Sequence, residues 1–180
     1  GGTMTGNITL GTNTIDGLAI NVSATSNLGL GTGAVDAITT GDYNVGVGDN
    51  ALTATTSGNY NIALGKDALY SNTTGVSNTA TGHSALVFNT TGASNTATGY
   101  EALYLNTTGA NNTAVGKVAL WSNTTGTSNT ANGVLSLFSN TTSHRNTAVG
   151  VYSLYSNTTG GENVATGYRA LFSNTTASNN

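Results

Sequence analysis

Imidazoles and carboxylates carry most general acid–base and metal chemistry, and in this chain they do not line up. His83 directly follows a recurring glycine, whereas His144 stands two residues before a recurring asparagine, so the two histidines do not share a column. The acids Asp16, Asp36, Asp42, Asp49, Asp67, Glu101 and Glu162 are scattered. No paired-carboxylate or Ser-His-Asp arrangement can be built from them. The Gly-Gly-x-Gly-x-Asp run of calcium-binding β-rolls is missing. Cysteine is absent, which removes thiolate metal sites and disulfides. The reading is therefore no enzyme, no metal and no cofactor.

What does recur is amide, glycine and leucine. From Ala24 to Thr176 the chain repeats every 17 residues without insertion or deletion. One column is Asn44, Asn61, Asn78, Asn95, Asn112, Asn129, Asn146 and Asn163, begun by Asn27. An asparagine side chain donates and accepts at once, so stacked copies are expected to form a structural ladder. Four residues later come Gly48, Gly65, Gly82, Gly99, Gly116, Gly133, Gly150 and Gly167, read as corners where φ is positive or backbones approach closely. A third column is Leu69, Leu86, Leu103, Leu120, Leu137, Leu154 and Leu171, preceded by Val35 and Leu52. A large side chain follows most of these: Tyr70, Val87, Tyr104, Trp121, Phe138, Tyr155 and Phe172.

A fixed period with no slippage marks a solenoid or fibre. The expected fold is all-β, a parallel β-solenoid or β-roll of 17-residue rungs. In the rung from Gly92 to Thr108, Asn95-Thr96-Ala97-Thr98 reads as a strand, with Thr96 and Thr98 on one face and Ala97 on the other. The middle position is always Gly or Ala, which predicts another strand or another chain lying close against it. Glu101-Ala102-Leu103-Tyr104 fits a second strand or one turn of helix, and Asn106-Thr107-Thr108-Gly109 fits a turn. A helical turn about 10 Å wide cannot stack at the roughly 4.8 Å spacing of strands, which limits helix to one tight turn per rung.

Residues 1–23 read as a lead-in, with strands around Ile8–Leu10 and Leu18–Ile20; residues 24–176 hold nine rungs, the first (24–40) degenerate. Residues 177–180 open a further rung, so the array is expected to continue, and the Gly1-Gly2 start marks a piece of something longer or a processed product. Only 6% of residues are charged, against roughly 25% in typical proteins, and the net charge is −3. Lys66, Lys117, Arg145 and Arg169 make no basic stripe, so nucleic acid is not an expected partner. No apolar run is long enough to span a bilayer, and no signal peptide is visible.

One Leu and one large residue per rung make a thin core. The aromatic column is therefore expected to be buried between sister chains, with a homotrimer as the natural closed arrangement. The Thr-Thr column (Thr73-Thr74 onward) invites an ice-binding reading, but adjacent Thr on a strand would face opposite sides, and local backbone bonding is the plainer use. Asn72-Thr73-Thr74 and its successors fit the N-glycosylation pattern, read here as a coincidence of the repeat. Tyr100 and Tyr168 are the candidates for exposed glycan contact, and His144-Arg145 is a solvated loop or a local binding bump.

The words Asn112-Thr113-Ala114-Val115-Gly116, Ala119-Leu120 and Asn123-Thr124-Thr125-Gly126 resemble the repeats of tail-fibre-like proteins of bacteriophages and related bacterial surface proteins. Gly1-Gly2-Thr3-Met4-Thr5-Gly6 resembles a short phage tail-fibre motif. The array is also similar to the head repeats of trimeric autotransporter adhesins, although those repeats are shorter. The resemblance implies a trimeric fibre in the virion, joined to other fibre segments and taking part in host attachment. Tips and chaperone domains end many such fibres; neither is recognisable here, so the segment reads as shaft. The alternative is a bacterial cell-surface adhesin, or a solenoid that binds ice or glycan through a flat repeat face.

Overall fold

The computed structural model describes residues 20–21 and 26–180, with side chains over the latter range. The expected strand around Ile8–Leu10 lies outside the described residues. The strands are β1 (Ile20–Asn21), β2 (Leu28–Leu30), β3 (Val45–Val47), β4 (Ile62–Leu64), β5 (Thr79–Thr81), β6 (Thr96–Thr98), β7 (Thr113–Val115), β8 (Thr130–Asn132), β9 (Thr147–Val149) and β10 (Val164–Thr166). They form one sheet in chain order. Strands β2 to β10 are parallel, and β1 joins β2 antiparallel. Each parallel residue faces its counterpart one repeat later, as Ala97 faces Ala114. The chain is a β-solenoid, and the degenerate first rung takes its place in it through Leu28–Leu30.

Neither the second strand nor the helical turn expected at Glu101–Tyr104 forms: no strand lies there, and no helix occurs among the described residues. The stretch Glu101–Tyr104 is instead a run of turns in which Glu101 (φ 51°) and Leu103 (φ 52°) are left-handed. The alternation aims the N–H groups of Glu101 and Leu103 to opposite sides along the stack, while Ala102 N between them donates to Gly99 O of its own coil. Glu101 N donates to His83 O of the preceding coil at 3.0 Å, and Leu103 N donates to Ala119 O of the following coil at 3.0 Å. A helix would turn these bonds inward upon the segment and leave the neighbouring coils unpaired. The helix preference of Ala and Leu gives way to that demand.

The core is narrow. Leu52, Leu69, Leu86, Leu103, Leu120, Leu137 and Leu154 are fully buried, with Val35 at the head of their column. Leu171, in the last coil, is 38% exposed. Two columns of small residues flank them: the middle strand residues, such as Ala97, and the residues before each Leu, such as Ala102, with Ser136 and Ser153 in later coils. The expectation that a separate strand or chain presses on the middle column is corrected. A Cβ on Gly46, in that column, would lie 3.1 Å from Val35 Cγ1 and 3.1 Å from Ala51 O, so the column is small because it faces the interior of its own coil.

Candidate functional site

The Asn column is buried, from Asn44 through Asn163, and its bonding repeats at every coil. Asn112 is representative. Its backbone N donates to Asn95 Oδ1 at 3.0 Å, and its Nδ2 donates to the same oxygen at 3.2 Å and to Gly126 O at 2.8 Å. The ladder thus ties each coil to the one before and the one after.

A second amide ladder escaped the sequence reading. Asn72, Asn89, Asn106, Asn123, Asn140 and Asn157 are fully buried. Asn106 Nδ2 donates to Asn89 Oδ1 at 2.8 Å and to Gly109 O at 3.0 Å. The column shares the 17-residue period, but its word Asn-Thr-Thr-Gly also fits local turn chemistry. Burial also removes these sequons as glycosylation acceptors in the folded chain. Thr55 occupies the ladder's first position, and its buried Oγ1 has no hydrogen-bond partner among the described residues. Ser143 replaces the usual glycine of the turn, and its hydroxyl meets Asn140 Oδ1 and accepts from Asn146 Nδ2.

The corner glycines Gly48 to Gly167 have φ between 127° and 142°. A Cβ on Gly116 would lie 2.6 Å from Gly133 O and 2.7 Å from Gly133 C, so backbone passes directly over backbone there. Both reasons for glycine read from the sequence apply at once.

The aromatic column is on the surface of the chain rather than in its core. Tyr104, Trp121, Phe138, Tyr155 and Phe172 stack in succession, with centroids 5.1–5.6 Å apart and planes within 17°. Tyr70 lies in the same column, 42% exposed. Phe88 departs from the pattern: Val87 takes the aromatic position and Phe88 meets Tyr104 edge-on at 5.1 Å. Phe88 and Leu105 replace the usual Ser on two successive coils and, with Ser71, Thr90, Thr107 and Thr124, line a shallow groove of about 380 Å³.

Tyr100 is 47% exposed, but its ring faces are engaged. His83 stacks on it at 5.5 Å, and Lys117 Nζ, from the coil beyond, stands 5.7 Å from the centroid. A hydrogen bond to Glu101, then that residue's charge, raises its hydroxyl pKa. Tyr168 is freer, at 71% exposure, with Tyr152 edge-on and the Arg169 guanidinium nearby. His144 lines an open polar pocket of about 230 Å³ with Thr159, Gly161, Glu162, Ser178 and Asn179, and Glu162 accepts from Arg145 at 2.6 Å.

Among the described residues no group of three or more His, Cys, Asp or Glu is placed to hold a metal ion, and the two histidines occupy separate surfaces. No helix of the described residues is long and apolar enough to cross a membrane. No protein-family model, no curated protein and no solved structure matches this chain.

Proposed function

We propose that this chain is a shaft segment of a homotrimeric fibre, of the tail-fibre kind carried on a virion, that acts in host attachment through its length and stiffness. One observation carries the reading. Both columns of buried amides bond one coil to the next, and the strand register never slips. Nine coils at about 4.8 Å extend roughly 43 Å. Such a stack spaces whatever stands at its ends. The resemblance of the repeats to tail-fibre proteins supplies the setting, and any contact of the shaft with host glycan is weak and secondary.

Sister chains meet along the aromatic column. Its rings stack face to face, so their edges form a continuous apolar ridge suited to lateral packing. Trp121 lies within this ridge and is the chain's single tryptophan. Sedimentation at high dilution is expected to give the mass of three chains, with Trp121 fluorescence shielded from acrylamide. A folded solitary chain with an accessible Trp121 rejects the sister-chain packing. Strong, saturable binding on a glycan array, lost on changing one surface column, rejects the spacer reading.

A further inference from the structure

The outward residues of the parallel strands form a grid that the shaft has no need of. Thr79, Thr96, Thr113, Thr130 and Thr147 follow one another on five successive coils. Beside them runs the column Thr81, Thr98, Val115, Asn132 and Val149. Nine of these ten side chains are β-branched, and β-branched side chains are stiff at χ1. None of the ten carries charge, while the middle strand residues between them point inward.

The two kinds of threonine differ in what their hydroxyls do. At the Thr-Thr corner each first hydroxyl is taken by backbone, as Thr107 Oγ1 donates to Thr124 O at 3.1 Å. The strand threonines form no side-chain hydrogen bond among the described residues and stand half-buried or exposed at the surface. Their hydroxyls are left for whatever lies outside. The grid repeats at about 4.8 Å across the strands and about 6.6 Å along them.

We propose that this strand face binds the surface of ice. Ice is a neutral lattice of hydrogen-bond donors and acceptors with repeats in the same range. Competing with liquid water for it demands a face free of strongly hydrated charge, since charged groups hold their own water. It also demands fixed geometry, so that many weak contacts add without an ordering cost. The uncharged grid meets the first demand. The two amide ladders behind it, which pin each coil to the next, meet the second. At the Thr-Thr corner, which invites the same reading in sequence, the backbone has already claimed the first hydroxyl of each pair, so the available hydroxyls stand on the strands.

The test is grain growth in polycrystalline ice annealed just below freezing, with the whole chain added at micromolar concentration. The unaltered chain is expected to suppress recrystallisation. Thr113→Lys and, separately, Thr113→Tyr should each raise the concentration required at least tenfold, because each projects beyond the plane. Tyr is a good strand former, so that variant decides the matter if the Lys variant does not fold. Thr125→Lys, at the exposed second position of the Thr-Thr corner, should leave activity unchanged. Failure of the folded chain to suppress growth overturns the proposal, as does equal activity of the Thr113 and Thr125 variants. The shaft reading makes no claim about ice and is tested by sedimentation, so the two fail separately.

Discussion

At the residue scale the unusual feature is how often a side chain sits where L-residues resist going. Each repeat holds left-handed residues at three positions besides its corner glycine, exemplified by Ser94, Glu101 and Leu103. A left-handed conformation costs an L-residue roughly 1–2 kcal/mol, and Asn and Gly tolerate it best. The periodicity exposed the glycines because their type announces the conformation. It could not expose Leu103, whose type favours helix and whose φ is imposed by the neighbouring coils. The position two after the corner glycine offers a test, since its occupants include Gly33 (φ 70°), Asn50 (φ 58°) and Val118 (φ 53°). Val118 is only partly buried and outside the core cluster. Being β-branched, it is the occupant least suited to that φ. Val118→Asn is expected to stabilise the chain by about 1 kcal/mol, raising the melting temperature by about 2–4 °C. A lower melting temperature would mean that its packing outweighs its strain.

At the element scale, the coil is held by two lines of buried amides, and only one was legible. The first follows a column that is Asn in every rung and directly precedes a strand, so its role as a ladder could be read. The second lies in a word, Asn-Thr-Thr-Gly, that local turn chemistry already explains, and nothing in the sequence says that its Asn points inward. The small strand column misled for a related reason: smallness signals close packing but not which partner is close. The second ladder predicts a gradient. Asn106→Ala leaves Asn89 Oδ1 without its donor, and takes away one of the two amide donors of Gly109 O and one of the two acceptors of Asn123 Nδ2, all at or near the buried interior. Unfolding in guanidinium should show a loss of about 3 kcal/mol. Asn174→Ala removes the ladder's partly buried last member, bonded to Asn157 and Ala177, and should cost under about 1 kcal/mol. Equal losses would show that the amides act one by one and not as a stack.

For the whole molecule, the sequence disclosed the architecture because repetition is a property of the entire chain, whereas the use of each surface depends on what meets it. The same repetition confines the polar interior to neutral groups. Among the described residues the buried polar side chains are Asn, Ser and Thr, and none ionises near neutral pH. Ion pairs contribute little: Lys66–Asp67 is 4.0 Å apart, and Arg145–Glu162, at 2.6 Å, has side chains 67% and 47% exposed. The raised pKa of Tyr100 acts in one direction only. Whatever it contributes is present below the unfolded tyrosine value and is lost as pH rises through the folded one, in the region above about pH 10. Stability is therefore expected to be flat between about pH 5 and about pH 9. It should also change little between roughly 0.05 and 1 M sodium chloride. Thermal melts followed by circular dichroism check both. Cooperative acid unfolding above about pH 5 would place a carboxylate in a role that a neutral, amide-laddered interior does not provide.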